Sequence, residues 1–243
     1  MRAALLSDVH GNRHAFEAVL SAIAERDVDA VWCLGDLVGY GADPNACVAL
    51  AREHCSIILA GNHDLAVTGD LSLDEFSRGA ALAAHWTQSV ISEEHLAFLR
   101  SLSPQGRAEG VGLYHGSPRD PIWEYVLGSM LADLCLTVQA ERVCAVGHSH
   151  VALSFSRDQE AEASGTPREA GEVADMSTGE WLINPGSVGQ PRDGDPRAAW
   201  LELDTGTWTA TWHRVEYDIE GAAAAIRAAG LPGSLADRLG YGQ

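Results

Sequence analysis

Five short apolar runs in this chain each stop at side chains able to bind a metal ion. Ala3 to Ser7 ends at Asp8-Val9-His10, Ala30 to Leu34 at Gly35-Asp36, and Ser56 to Ala60 at Gly61-Asn62-His63-Asp64. Val111 to Tyr114 ends at His115-Gly116, and Val143 to Val146 at Gly147-His148-Ser149-His150. Runs this short suit buried strands. After the first, Ala15, Phe16, Val19, Leu20 and Ile23 recur at helical spacing. After the second, a Gly-Tyr-Gly-Ala-Asp-Pro turn leads to a helix expected from near Pro44, with Asp43 as its cap. Strand and helix alternating in this way imply an α/β architecture with partly parallel strands.

Further along, the stretch from Leu73 to Leu102 is helical in character, with amphipathic spacing around Trp86 and again at Leu96 and Leu99, and is a candidate flank for a cleft. Another helix is centred on Leu131 to Val138. Residues 156–179 are polar and aperiodic, as expected of an exposed hairpin tip or insertion. Trp181 to Ile183, Ala198 to Leu203 and Thr207 to His213 read as a β-meander, in which Trp200, Trp208 and Trp212 are core or sheet residues. A helix from Ile219 to Ala229 and a short C-terminal tail follow. There is no internal repeat, and 243 residues suit one domain spanning 1–243.

Charge narrows the choice of partner. Sixteen basic against 34 acidic residues leave a net charge of −18, which disfavours duplex nucleic acid. A small phosphorylated substrate remains compatible, because bound cations invert the local field of a cleft. No run approaches the length of a membrane span, and no secretory signal is evident, so a cytoplasmic setting without membrane attachment is expected. The five cysteines include no CxxC pair. They suggest neither a disulfide framework nor a cysteine zinc knuckle, and Cys33 and Cys144 read as buried.

In open α/β sheets ligands gather at the carboxyl ends of strands, so the five polar clusters are expected to converge on one cleft. Carboxylate, amide oxygen and imidazole together suit a divalent ion such as Mn, Fe or Zn. In this order the motifs D-x-H, G-D, G-N-H-[DE], H and G-H-x-H resemble the calcineurin-like metallophosphoesterases, specifically a prokaryotic, small phosphodiesterase-like branch. The match runs from Asp8 to His150. The segment Asn184-Pro185-Gly186-Ser187-Val188-Gly189 resembles the glycine-containing stretch that closes the site in prokaryotic members. The resemblance implies a four-layer α/β/β/α sandwich of the metallophosphoesterase type with two divalent ions, Mn first, and Fe, Zn or Ni as alternatives. It further implies that Asp8, His10, Asp36 and His150 hold one ion and that Asp36, Asn62, His115 and His148 hold the other.

Two bridged ions would clamp phosphoryl oxygens and activate a water for in-line attack. His63 follows Asn62 but is not a ligand by resemblance, which makes it the candidate general acid, or else a residue that only orients its neighbours. Candidate substrate contacts are Asn12, near the first helix, and the scarce cations Arg119 and Arg192, each of which could instead form a structural ion pair in a rigid loop. Tyr40 lines the cleft or covers its loop. One departure matters: protein Ser/Thr phosphatases of this superfamily extend G-D into Asp-Arg-Gly, whereas this chain has Gly35-Asp36-Leu37-Val38-Gly39-Tyr40-Gly41. The group orienting His63 is thus unassigned, and a protein phosphatase is disfavoured. The expected activity is hydrolysis of a small phosphodiester or phosphomonoester, a nucleotide included. A metal-binding scaffold without turnover is the alternative from another class, and oligomeric state is open.

Overall fold

The computed structural model describes residues 1–158 and 161–243; Gln159 and Glu160, inside the stretch expected to be exposed, lie outside the described residues. Strand β1 (Arg2–Leu6) leads to helix α1 (Arg13–Ala24), β2 (Ala30–Cys33) to α2 (Pro44–His54), and β3 (Ile57–Ile58) to α3 (Asn62–Thr68). Pairing of β1 with β2 and of β2 with β3 is parallel, as the alternation requires. A 3₁₀ turn (Leu73–Glu75), α4 (Arg78–Val90) and α5 (Glu93–Arg100) make up the helical stretch, with Ser77 and Ser92 capping α4 and α5 through their side chains.

The chain then forms β4 (Gln105–Ala108), β5 (Val111–Tyr114), α6 (Ser129–Val138), β6 (Val143–Ala145) and β7 (Ala152–Arg157). Next come β8 (Ser164–Pro167), β9 (Val173–Asp175), β10 (Glu180–Pro185), β11 (Ala198–Asp204) and β12 (Thr209–Val215), followed by α7 (Ile219–Ala228) and α8 (Gly233–Asp237). Two six-stranded sheets result, ordered β3-β2-β1-β11-β12-β9 and β4-β5-β6-β10-β7-β8.

Strand periodicity explains the layers. Side chains on β1 alternate faces, so Ala3 and Leu5 pack between the two sheets with Trp32, Leu34, Val111, Leu113, Ile183, Leu201 and Trp212. Ala4 and Leu6 point the other way and meet Phe16, Val19 and Val48 from α1 and α2. The outer face of the second sheet, through Cys144, Leu153, Phe155 and Leu182, is covered by Cys135 and Leu136 of α6. Helix, sheet, sheet, helix is the expected four-layer sandwich. Trp32 is 1% exposed, and its loss to alanine is expected to cost about 3–5 kcal/mol.

Three expectations need correction. The three terminal strands are not one meander: β11 and β12 pair with each other in the first sheet, while β10 lies in the second between β6 and β7. Trp208 precedes β12 in a tight turn at φ +55°, where Arg142 packs on its ring, rather than on a strand. The C-terminal segment is not a free tail, since Leu235 and Leu239 are buried beside Tyr40 and Ile226. The polar stretch contributes one short edge strand to each sheet, β8 against β7 and β9 against β12. All five cysteines are free, and burial pushes the Cys33 and Cys144 thiols well above their usual range. Among the described residues no helix is long and apolar enough to cross a membrane.

Candidate metal centre

Every expected ligand sits just past the carboxyl end of a parallel strand: Asp8 and His10 after β1, Asp36 after β2, Asn62 after β3, His115 after β5, and His148 and His150 after β6. The two sheets contribute to one buried cluster because their strand ends converge. The turns are sharp. Eight non-glycine residues among those described have positive φ, and six of them belong to this site: Asp8, His10, Asp36, Tyr40, His148 and His150. Left-handed backbone costs such a residue about 1–3 kcal/mol, so its concentration here marks a constrained site. Gly61 is required for a different reason, since a Cβ there would run into the Asp36 carboxylate.

Hydrogen bonds hold the turns. The Asp8 amide donates to Gly35 O (3.0 Å) and the His10 amide to Asp36 O (2.9 Å). The Asn184–Gly189 segment acts as a strap. Ser187 Oγ donates to Asp8 O (2.8 Å), the Gly189 amide donates to the same oxygen (2.9 Å), and Asn184 Nδ2 donates to Gly147 O (2.8 Å) and Ser149 Oγ (3.0 Å).

The imidazoles are aimed by backbone carbonyls. Nδ1 of His10, His115 and His150 bonds Val38 O (3.1 Å), Leu34 O (2.9 Å) and Gln190 O (2.6 Å) respectively. A donor at Nδ1 leaves Nε2 with its lone pair directed inward, the arrangement a metal ligand needs. His148 is reversed, bonding Trp123 O through Nε2 (3.2 Å) and leaving Nδ1 free.

The inward atoms crowd together. His10 Nε2 lies 3.0 Å from His150 Nε2, His150 Nε2 lies 3.5 Å from Asp8 Oδ1, and His115 Nε2 lies 3.1 Å from Asn62 Oδ1. A single oxygen, Asp36 Oδ2, faces both His10 Nε2 (3.5 Å) and His115 Nε2 (3.6 Å). Two donor sets follow, Asp8-His10-Asp36-His150 and Asp36-His115-His148, with ligand atoms within 4.8 Å of one another and all residues buried. Asp8 Oδ1 and Asp36 Oδ2 have no hydrogen-bond partner although both are buried. A buried carboxylate oxygen left unpaired is costly unless it is protonated or faces a cation, so this donor set fits a divalent ion.

The protein alone resists charge here. Burial pushes Asp8 up to about 7 and, together with the neighbouring Asp64, raises Asp36 well above the carboxylate range. Burial likewise draws His10, His148 and His150 well below the usual histidine value, with His63, His115 and Arg192 respectively the next contributors. Neutral imidazoles are the form that binds metals.

His63 stands beside this cluster in an aromatic box, its ring centroid 4.4 Å from Tyr40, 4.9 Å from His10 and 5.0 Å from Phe76. Its Nδ1 is buried without a partner and rests against Gly39, which adopts φ +90°. Burial, then the charges of Arg192 and His115, lower it to about 3. Among the described residues no carboxylate orients it. Asp64 faces away, accepting from the amides of Gly61 (2.9 Å), Val38 (3.1 Å) and Leu37 (3.3 Å), and so ties the loop after β2 to the start of α3.

The three expected substrate contacts separate. Asn12 is engaged within the protein: its Oδ1 caps α1 through the Ala15 amide (3.1 Å), and its Nδ2 donates to Gly189 O (2.9 Å) and Tyr217 Oη (3.4 Å). Arg119 pairs with Glu124 (3.7 Å), the ion-pair alternative raised for it. Arg192 has no such partner among the described residues. Its Nη2 reaches Tyr40 Oη (3.4 Å) and Gln190 Oε1 (3.2 Å), and its charge bears on Asp8, Asp36, His10, His63 and His150. The rim also includes residues that sequence reasoning missed: Tyr125, stacked on His148 at 4.0 Å and 9°, Trp123 and Phe76, in edge contact at 5.2 Å, and Arg238.

Known proteins resemble the chain over its whole length. Residues 1–206 match the family model described as the calcineurin-like phosphoesterase superfamily domain. The uncharacterized protein MJ0912 of Methanocaldococcus jannaschii is 38% identical over 245 residues, covering 99% of this chain and 98% of that protein. A metallophosphoesterase from Sphaerobacter thermophilus, of known crystal structure, superposes with a TM-score of 0.91 at 45% identity, covering 100% of this chain and 99% of that one. The hypothetical protein PH1004 of Pyrococcus horikoshii OT3 shares the fold, with a TM-score of 0.80 at 18% identity and coverage of 100% and 98%. The chain therefore belongs to the calcineurin-like phosphoesterase superfamily.

Proposed function

We propose that this protein is a dinuclear metal-dependent phosphoesterase that hydrolyses small phosphodiesters or phosphomonoesters, with diesters favoured. One observation carries the reading: a single unpartnered carboxylate oxygen, Asp36 Oδ2, faces ligands of both donor sets. Asp8, His10, Asp36 and His150 hold one ion; Asp36, Asn62, His115 and His148 hold the other. Mn is the first choice, with Fe, Zn or Ni as alternatives, since imidazole mixed with oxygen donors suits this series. Bound there, the ions supply Lewis-acid polarisation of the phosphoryl group and lower the pKa of water.

The remaining work falls to side chains. Arg192 offers a guanidinium fork to non-bridging phosphate oxygens and stabilises charge that builds on them. Tyr40 holds Arg192 on one side and packs against His63 on the other. His63 gives a proton to the leaving oxygen through Nε2, because Nδ1 is closed off by Gly39. Burial and the Arg192 charge keep the ring neutral in the protein alone, so the proton it donates has to arrive with the anionic substrate. The His148 ring is held between Trp123 O and the Tyr125 ring, which fixes its Nδ1 inward. With five free cysteines and a net charge of −18, the proposal places the protein in the cytoplasm, acting on small molecules rather than duplex nucleic acid.

The test is hydrolysis of bis(p-nitrophenyl) phosphate and p-nitrophenyl phosphate by chelator-stripped protein, with Mn, Fe(II), Zn, Ni and Mg restored separately. Metal-dependent turnover with the diester ahead is expected. Turnover unaffected by chelation would refute the metal requirement, and a monoester preference would refute the favoured substrate class.

A further inference from the structure

All sixteen cations of this chain are arginines, set among 34 acidic residues. In such a protein a guanidinium group is expected to find a carboxylate, and most here do. Two beside the metal centre do not. Arg192 Nη2 and Arg238 Nη1 each lie 3.2 Å from the same neutral oxygen, Gln190 Oε1, and neither has a carboxylate within 4.0 Å among the described residues. Both side chains are partly exposed, so a ligand can reach them.

The fold holds this pair together. The Arg192 amide donates to His150 O (3.1 Å), and Gln190 O receives the His150 Nδ1 bond (2.6 Å), so the loop carrying both residues is fastened to a metal-centre histidine. Arg238 is delivered from the opposite direction. Leu235 and Leu239, on either side of it, are 4% and 3% exposed, and the Gly194 amide donates to Gly242 O (3.0 Å), which pins the C-terminal turn to the loop after Arg192. Two like charges brought to one neutral acceptor by anchored backbone repel each other. Burial, followed by the Arg192 charge, lowers the proton affinity of Arg238. An arrangement of this kind is relieved by an anion bound between the two groups.

We propose that Arg192 and Arg238 form an anion subsite adjoining the metal centre, so that the substrate class is a phosphate ester bearing a second anionic group next to the scissile phosphate, a substituted diphosphate being the simplest. This rests on the phosphoesterase reading. Arg192, nearer the ligands through His150 and Tyr40, spans both groups; Arg238 contacts the distal one. The aromatic rim of Tyr125, Trp123 and Phe76 leaves the substituent unspecified.

Titration calorimetry on the Mn-loaded protein tests the proposal, with adenosine 5′-monophosphate and its non-hydrolysable α,β-methylene diphosphate analogue as probes. The wild-type protein is expected to bind the diphosphate analogue at least about tenfold more tightly, a preference of about 1.4 kcal/mol. Arg238→Gln should erase that preference while changing monophosphate affinity less than about twofold, and Arg238→Lys should retain part of it. No preference in the wild-type protein, or equal loss on both probes in Arg238→Gln, would overturn the subsite. Metal-dependent turnover of bis(p-nitrophenyl) phosphate by the wild-type protein is followed in parallel. Turnover without the diphosphate preference refutes the subsite alone, whereas the preference without turnover refutes the phosphoesterase reading and leaves the subsite standing.

Discussion

Replacing Asp8 with asparagine should stabilise the metal-free protein while destroying its affinity for metal. Asp8 is fully buried, and burial lifts its carboxyl from 3.8 to about 7. A carboxyl whose folded pKa lies above its unfolded value favours the fold fully below the unfolded pKa. That contribution is lost as pH rises through the folded pKa, here between about pH 4 and pH 7. At about 1.4 kcal/mol per pH unit, the accumulated cost at pH 8 is on the order of 4 kcal/mol. Asparagine escapes it, and the site can accommodate the change. Oδ1 would keep the His148 amide bond now made by Asp8 Oδ2, and the new NH₂ would face His150 Nε2, whose lone pair is free because Nδ1 is the donor.

Thermal melts at pH 4 and pH 8, with chelator and with saturating Mn, read the effect. Without metal, Asp8→Asn should melt about 10 °C above wild type at pH 8 and level with it at pH 4. With Mn the order should reverse, because only the wild-type protein gains the full binding energy, about 4 kcal/mol at a thousandfold excess over Kd. A variant less stable than wild type at pH 8 without metal, or a difference independent of pH, would refute the reasoning.

Other outcomes follow from the same geometry. Metal affinity should weaken as pH falls through about 7, because Asp8 takes up a proton that the ion must displace; calorimetry in buffers of differing ionisation enthalpy would detect the released proton. His63→Ala should keep its metal but lose on the order of 10²–10⁴ in rate on poor leaving groups and far less on nitrophenolate, since general-acid assistance matters least there. Equal losses on both would count against proton donation. Gly39→Ala should lose about 1–3 kcal/mol of stability and slow turnover more than it weakens metal binding, because its backbone is left-handed and a Cβ would reach 2.5 Å from His63 Nδ1. Chemical denaturation alongside metal titration separates the two effects.

Most of the frame was legible because it is local. Apolar runs ending in Asp, Asn or His announce a strand and its terminus together, and β5 and the start of α2 fall where spacing puts them. β3 shrinks to Ile57–Ile58 because its neighbours leave the chain as loop, pairing only with β2 at an edge. Sheet membership was not legible: β10, β11 and β12 alternate alike in sequence, and only long-range pairing separates them. Asn12 was singled out by its place on the loop entering α1, four residues after Asp8; its hydrogen bond to the strap depends on Gly189, far along the chain, and was not legible. Tyr125 and Arg238 carry no motif. Tyr125 follows a proline turn beyond His115, and Arg238 reaches the site only because two buried leucines fold the C-terminal segment back.

The central claim is that two ions share Asp36, and electron paramagnetic resonance of the Mn-reconstituted protein tests it most directly. At two equivalents of Mn per chain, the bridged pair should give an exchange-coupled, multiline spectrum that Asp36→Asn abolishes while circular dichroism shows the fold intact. A spectrum of isolated, uncoupled Mn at full loading, or an unchanged coupled spectrum in Asp36→Asn, would contradict the account.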